Sequence, residues 1–224
     1  MSGLDELEEY LRTATILYVG AFPDPGGAHP GKLVILEGGV GVLAKPADAN
    51  QAAAEMAPRE VAAWNVARHL GWGDLVAATV LRREFPGDAG GLVDSSFSVA
   101  WPNCKADVDP GFADEDRWRA AAFDFIVDQS DRSGHNWLAV PVPGGGPSKL
   151  KLIDHGHCFG YPQAGVNSTF YAEKRGEELP AEIISSLDEL LADWPSDPLQ
   201  DLLPDEIVSN AEGRVRALIE RGTL

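Results

Sequence analysis

Cysteine, positive charge and long apolar runs are all scarce in this chain of 224 residues. The two cysteines, Cys104 and Cys158, are far apart and lack the spacing of metal ligands, which is typical of reduced thiols in a cytosolic protein. No apolar run approaches the length of a membrane span. The first residues are acidic where a secretory signal would be basic. The sequence therefore predicts a soluble, cytoplasmic protein.

The shortage of positive charge also limits the partners. Eighteen Lys and Arg residues stand against 35 Asp and Glu residues, which gives a formal net charge of −17. Nucleic acid and anionic membranes reward clusters of Lys and Arg, so we expect neither nucleic-acid binding nor stable membrane association. A small phosphorylated ligand is still compatible with this charge, because local basic groups and a bound cation can reverse its sign within a site.

The first hundred residues show the pattern of a small antiparallel sheet. A short amphipathic helix over residues 3–12 precedes β-rich runs at residues 15–19, 33–36 and 40–44. A helix is predicted to start at Pro58, which is tolerated in a first turn, and to end at Leu70-Gly71. Further strands are expected over residues 75–82 and 95–101. Pro102-Asn103 is a candidate hinge, so we divide the chain into residues 1–101 and 102–224.

The second part of the chain is expected to be mostly helical. Asp114 can cap a long helix, and a hairpin of strands over residues 137–140 and 149–153 follows it. Two more helices are predicted near residues 180–192 and 204–222. The predicted fold class is therefore α+β, with a small antiparallel-sheet N-terminal lobe and a mostly helical C-terminal lobe, as in a two-lobed kinase-like fold.

Two short motifs frame the predicted hairpin. Asp131 is followed five residues later by Asn136, and Asp154 follows the second, apolar strand. The catalytic loop of protein kinases has the same Asp-to-Asn interval, and their metal-binding Asp also precedes a Gly after one residue. Kinases use one Asp to orient and deprotonate the acceptor hydroxyl, while an Asn and a second Asp hold Mg²⁺. The pattern predicts an ATP-dependent kinase.

Each of these residues has a predicted role and a structural alternative. Asp131 is the candidate catalytic base, and the alternative is an ordinary helix-terminating or turn Asp. Asn136 and Asp154 are the candidate Mg²⁺ ligands, since hard oxygen donors suit a cation shared with phosphate groups. For Asp154 the alternative is a turn residue before Gly156. The three residues together at these intervals favour the catalytic interpretation.

Three residues of the N-terminal part are candidates for ATP binding. Lys45 ends a strand of small apolar residues and would pair with the α- and β-phosphates. Glu60, fifteen residues later on the next helix, would position Lys45 by an ion pair. Glu55 is the rival partner, but its position before Pro58 predicts that it lies outside the helix. Trp101, beside the candidate hinge, could form a wall of the adenine pocket.

The stretch Phe123–Leu138 resembles the catalytic loop of the phosphatidylinositol 3/4-kinase-like superfamily, and Leu152–His157 resembles its metal loop. The type II phosphatidylinositol 4-kinase branch is the most similar, and HipA-type kinases share a looser version. This resemblance implies a two-lobed fold that binds ATP and Mg²⁺. The chain departs from it in lacking a Gly-x-Gly-x-x-Gly loop and in carrying His155 where an aromatic residue is usual.

The predicted function is an ATP- and Mg²⁺-dependent phosphotransferase. Lipid kinases bind anionic headgroups with basic residues after the metal loop, but no cation occurs between Gly160 and Lys174. We therefore expect a protein hydroxyl or a small soluble alcohol as acceptor rather than a membrane lipid. Two alternatives remain open, namely a pseudokinase-like module that binds nucleotide or a partner, and a transferase of the AMP part of ATP.

Overall fold

The computed structural model describes residues 3–22, 31–47, 51–87, 90–101, 104–106, 109–142, 144 and 146–224, and for residues 51–53 it describes the backbone. The candidate hinge at Pro102-Asn103 lies outside the described residues. In chain order the elements are α1 (Gly3–Thr13), β1 (Ile16–Ala21), β2 (Lys32–Leu36), β3 (Gly41–Pro46), α2 (Gln51–His69), β4 (Thr79–Pro86), β5 (Leu92–Val99), β6 (Lys105–Ala106), α3 (Asp114–Ile126), a 3₁₀ turn (Gly134–Asn136), β7 (Trp137–Val140), β8 (Lys149–Leu152), α4 (Thr169–Lys174), α5 (Ala181–Ala192), α6 (Ser196–Gln200) and α7 (Asp205–Arg221).

The chain forms two compact units, and the first contains residues 1–61 and 77–102. Its sheet is antiparallel throughout, with the strand order β1-β2-β3-β5-β4. Side chains alternate along β2 and β3, so that Val34, Leu36, Val42 and Ala44 are fully buried and their neighbours are partly exposed. Lys45 follows Ala44 directly, and its side chain therefore lies on the opposite face of the sheet.

Helix α2 is longer than the sequence predicted. It begins at residue 51, so Pro58 and Glu55 both lie inside it, and the expectations of a start at Pro58 and of Glu55 outside the helix were wrong. A proline in a helix interior costs about 3 kcal/mol. Residues 54–57, Ala-Glu-Met-Ala, favour helix, and the burial of Met56, Ala57 and Val61 helps to offset that cost.

The second unit contains residues 62–76 and 103–224. Its helices α4 and α7 pack on α3, and α5 packs on α7. Its sheet has the order β6-β7-β8, and all pairs are antiparallel. In the β7–β8 hairpin Trp137 is opposite Leu152, and both are buried. This register brings Asn136, just before β7, close to the residues that follow β8.

An antiparallel sheet in one unit and mostly helices in the other confirm the predicted α+β fold class. Residues 62–76 belong to the second unit, whereas the sequence placed them in the N-terminal lobe. The division into functional lobes at residues 101 and 102 stays a prediction. Within the part of the chain that the structure describes, no helix is long and apolar enough to cross a lipid bilayer.

The core of the first unit depends on Phe97, which is fully buried and meets the ring of Phe85 edge to face at 5.1 Å. We expect Phe97→Ala to lower the free energy of unfolding by about 3–5 kcal/mol, because it leaves a cavity in a packed sheet. Leu92→Ala is the control, since Leu92 is 66% exposed, and it should change stability by less than about 0.5 kcal/mol. Denaturant unfolding measures both, and equal effects would contradict this account of the core.

Candidate functional site

Lys45 and Glu60 form an ion pair within the first unit. Lys45 Nζ donates a hydrogen bond to Glu60 Oε1 at 2.5 Å, and their side chains are 17% and 3% exposed. Glu55, the rival partner, instead accepts a hydrogen bond from Arg59 at 3.2 Å. A charged pair with this little exposure interacts more strongly than one in water. The predicted pairing of Lys45 with Glu60 is thus present, and its role in nucleotide binding stays a prediction.

Trp101 is the third candidate for nucleotide binding in the first unit. It follows the end of β5 at Val99 and is partly buried. An indole ring in this state has apolar surface on which a flat base could stack. The proposed contact with adenine stays a prediction.

In the second unit, the end of α3 is anchored before the Asp131 loop begins. Arg214 in α7 donates from Nε to Ile126 O at 2.7 Å. Burial lowers the pKa of Arg214, and the nearby Asp128 carboxylate, 4.0 Å away, opposes that shift. Asp128 has a φ of +50° and accepts a hydrogen bond from the backbone N–H of Gly165 at 3.0 Å. The contacts of Asp128 therefore hold the chain in place where it turns out of α3.

Gln129 is fully buried and links the two segments that carry the candidate carboxylates. Its Oε1 accepts a hydrogen bond from the backbone N–H of Asp131 at 3.0 Å. Its Nε2 donates to the backbone carbonyl of Asp154 at 3.3 Å. One amide side chain therefore ties the backbone of Asp131 to that of Asp154.

Asp131 and Asn136 contact each other directly. The Asn136 amide nitrogen donates to the backbone oxygen of Asp131 and, at 3.3 Å, to its Oδ2. The side chain of Asp131 is 51% exposed, whereas Asn136 is 7% exposed. Because the amide nitrogen is used towards Asp131, the amide oxygen of Asn136 is the atom that remains to accept from or bind to another group. An exposed carboxylate beside an oriented amide is accessible to a substrate.

Asp154 lies at the end of β8 with a φ of +57°, in the left-handed region that few residues other than Gly adopt. Such conformations cost about 1–3 kcal/mol and are concentrated at functional sites. The preceding residue, Ile153, donates its backbone N–H to Asn136 O at 3.2 Å. The structure therefore brings the segments of Asp131, Asn136 and Asp154 together, as their spacing in the sequence suggested, while their chemical roles stay predictions.

Gln129 and Arg132 are both buried in this region, and their roles in it were not predicted from the sequence. The side chain of Arg132 is completely buried and contacts Asp124 of α3 at 3.0 Å. One signal was available in the sequence, because Asp124 interrupts a run of apolar residues, Ala120 to Phe123, on α3. A buried carboxylate requires a cation or several donors.

The three histidines near the motifs have different surroundings. His135 is exposed on the 3₁₀ turn. His157 Nδ1 lies 3.9 Å from Asp131 Oδ2, so a protonated ring would add positive charge next to the candidate base. His155 is 1% exposed, and its ring packs edge-on against Phe123 at 5.5 Å. His155 thus takes a core position, where the resemblance drawn above would place an aromatic side chain.

The donor set fits a magnesium ion that is shared with phosphate groups. No group of three or more His, Cys, Asp and Glu residues placed for a metal occurs among the described residues. Asn136 and Asp154 instead offer one amide oxygen and one carboxylate. Mg²⁺ is usually held by one or two carboxylates together with substrate phosphates and water rather than by a cage made of protein alone.

Comparison with known proteins gives similarity at the level of the fold. No protein-family model and no curated protein sequence matches the chain. Solved structures do match it. The Golgi casein kinase with Mn/ADP bound aligns with a TM-score of 0.70 and 14% identity, over 97% of this chain and 74% of that one. The hydra Fam20 structure with sugar gives a TM-score of 0.65 and 14% identity, over 97% and 88%.

A bacterial kinase shares the fold as well. The Helicobacter pylori proinflammatory kinase CtkA aligns with a TM-score of 0.57 and 10% identity, over 92% of this chain and 96% of that one. These matches overturn the predicted membership of the phosphatidylinositol 3/4-kinase-like superfamily, because the similar structures are Fam20-type and CtkA kinases. The resemblance rested on two short motifs, and an Asp-to-Asn interval of this kind also occurs in the catalytic loop of protein kinases, so it does not identify one kinase group. The chain has a kinase-like fold.

Proposed function

We propose that the chain is an ATP- and Mg²⁺-dependent phosphotransferase that acts on a protein hydroxyl or a small soluble alcohol. The observation that carries the proposal is the hydrogen-bonded cluster in which Asn136 contacts Asp131 and accepts, through its backbone oxygen, from the residue before Asp154. If these residues only formed turns and loops, there would be no reason for all three to lie in one cluster. The kinase-like fold supports the same conclusion.

Asp131 is the proposed catalytic base. Its carboxylate is exposed enough to reach an acceptor hydroxyl, and the Asn136 amide fixes its orientation. In the transfer, the acceptor oxygen forms a bond to the γ-phosphorus, the bond from that phosphorus to the bridging oxygen of ADP breaks, and Asp131 takes the hydroxyl proton. Orientation of the acceptor supplies much of the rate in such reactions, since the chemistry itself asks little of the protein.

Asn136 and Asp154 would hold Mg²⁺, and Lys45 with Glu60 would bind nucleotide phosphates. When bound, Mg²⁺ neutralises phosphate charge and orients the γ-phosphoryl group. Asp154 has its left-handed backbone two residues after the end of β8, so the strand fixes where this part of the chain lies. The Golgi casein kinase was solved with Mn/ADP, which supports a nucleotide and a divalent cation as the ligands of this fold.

The acceptor is proposed from charge and composition. Residues 161–168 follow the metal loop, contain no charged side chain and are mostly exposed. A membrane lipid headgroup would need cations there, whereas a neutral hydroxyl would not. The sugar in the hydra Fam20 structure is one example of a small alcohol bound by a related fold. We further propose a cytoplasmic location, which the presence of two widely separated cysteines in the sequence favours.

The first test follows γ-labelled ATP with purified chain, Mg²⁺ and a cell lysate or small alcohols as acceptors. We expect Asp131→Asn to lower the turnover number by about 100-fold or more, because an amide cannot take the proton. Asp188→Asn is the matched control, since it makes the same change at an exposed position of α5, and it should retain activity. Turnover in Asp131→Asn equal to the wild type would contradict the assigned role.

A second test concerns Lys45. We expect Lys45→Met to weaken ATP binding by about tenfold or more in calorimetry, because it removes a charged hydrogen-bond donor from the phosphates. Glu60→Gln should weaken it less, since Lys45 stays in place. ATP binding that is unaffected by Lys45→Met would exclude the lysine from the site.

The alternatives are distinguished in the same assays. Mg²⁺-dependent ATP binding without turnover under any condition would indicate a nucleotide-binding module. Transfer of label from α-labelled ATP to an acceptor would indicate AMP transfer. Failure to bind nucleotide at all would overturn the proposed function.

A further inference from the structure

The geometry points to Arg132 as a positioning residue that sets the separation of the proposed metal ligands. The guanidinium is buried and donates to protein acceptors, so it would affect cation binding only through the ligands that it positions. This inference rests on the proposed function and deepens it, because it names a buried residue that gives Asn136 and Asp154 their relative positions.

All five N–H groups of Arg132 have acceptors nearby. Nε and Nη2 donate to the Asp124 carboxylate at 3.0–3.2 Å, and Nη2 also lies 3.0 Å from His155 Nδ1. Nη1 donates to the backbone carbonyls of Asn136 and Ile153, at 2.6 Å in each case. The planar fork of arginine has five donors in fixed directions, and here each is used.

The contacts of Nη1 connect the two ligand segments. Asn136 is one proposed ligand, and Ile153 directly precedes the other, Asp154. Both carbonyl oxygens lie 2.6 Å from the same nitrogen, so neither segment moves away from the other without breaking a charge-assisted hydrogen bond. Metal sites depend on such supporting contacts, because the ligands must stay within a narrow range of distances from the ion.

The charge of Arg132 is compensated by Asp124, which is not one of the proposed metal ligands. Asp124 is 0% exposed, and its Oδ2 also accepts a hydrogen bond from Ser168 Oγ at 2.7 Å. The buried pair is therefore neutral in sum and does not repel a cation at Asn136 and Asp154. A lysine at position 132 would keep the positive charge but has only three donors on one atom, so it cannot hold Asp124 and both carbonyls in the same geometry.

The test uses the full chain with Mn²⁺ and ADP as probes, and the bound Mn²⁺ is followed by its paramagnetic resonance signal. We expect Arg132→Lys to weaken Mn²⁺ binding in the presence of ADP by about 10- to 100-fold. ADP binding in EDTA should change much less, because Lys45 and Glu60 are untouched. In the activity assay the Mg²⁺ concentration for half-maximal rate should rise in parallel.

Val215→Ala controls for general loss of stability, since Val215 is fully buried in α7 of the same unit. This variant should lower the unfolding temperature but leave Mn²⁺ affinity unchanged. Ser168→Ala is a second, milder variant that removes one support of Asp124, and it should weaken Mn²⁺ binding less than Arg132→Lys. It keeps the inference testable if Arg132→Lys does not fold.

The possible results distinguish failure of the positioning role of Arg132 from failure of the proposed function. Wild-type Mn²⁺ affinity in both Arg132→Lys and Ser168→Ala, with the wild-type chain binding Mn²⁺ and ADP, would overturn the positioning role and leave the proposed function standing. Equal weakening in Val215→Ala and Arg132→Lys would overturn it as well, since any loss of stability would then suffice. A wild-type chain that binds no Mn²⁺ with ADP would instead overturn the proposed function.

Discussion

A buried positive charge must be compensated by acceptors close to it. In the second unit this requirement determines how the loops around Asp131, Asn136 and Asp154 are folded. Arg132 and Asp124 are both inaccessible to solvent, and neither would be stable without the other. Because Asp124 belongs to α3, the loop that follows the helix is folded back onto the helix itself. The neighbouring loops then bind to the remaining donors of the same guanidinium.

Hydrogen bonds between backbone groups also hold the segments around Asp131. The N–H of Arg132 donates to Asn167 O, the N–H of Asn167 donates to Gln129 O, and the N–H of Ser130 donates to His157 O. Loops that satisfy one another in this way keep their shape whatever side chains they expose. The backbone of residues 129–132 and 157–167 is therefore held independently of most of the side chains that these segments expose.

Much of the fold followed from short-range patterns in the sequence. The β-rich runs at residues 33–36 and 40–44 predicted the strands β2 and β3, and the runs at residues 137–140 and 149–153 predicted the hairpin of β7 and β8. The predicted strand at 75–82 failed in its first half, because Leu75 and Val76 pair with Leu152 in the second unit rather than with the sheet. That contact is long-range, so no local pattern reveals it.

The candidate site shows the same contrast. The spacing of Asp131, Asn136 and Asp154 was sufficient to predict that they lie together. The hairpin of β7 and β8 lies between Asn136 and Asp154 in the sequence, and it brings its two ends close to each other. The roles of Gln129 and Arg132 could not be predicted, since each depends on partners brought in by the tertiary fold. The kinase group could not be predicted from these motifs either, because a few oxygen donors indicate a type of chemistry and not a common descent.

The left-handed backbone at Asp154 restricts how this position can evolve. Gly, Asn and Asp tolerate that conformation better than most other residues, and of these three only Asp carries a charge. Most other replacements would therefore strain the backbone and also remove the proposed metal ligand. Asn is the exception, because it keeps the backbone and removes only the charge. In a protein that keeps this fold for binding alone, an amide at position 154 would therefore remove the charge of the proposed metal ligand with the least strain on the backbone.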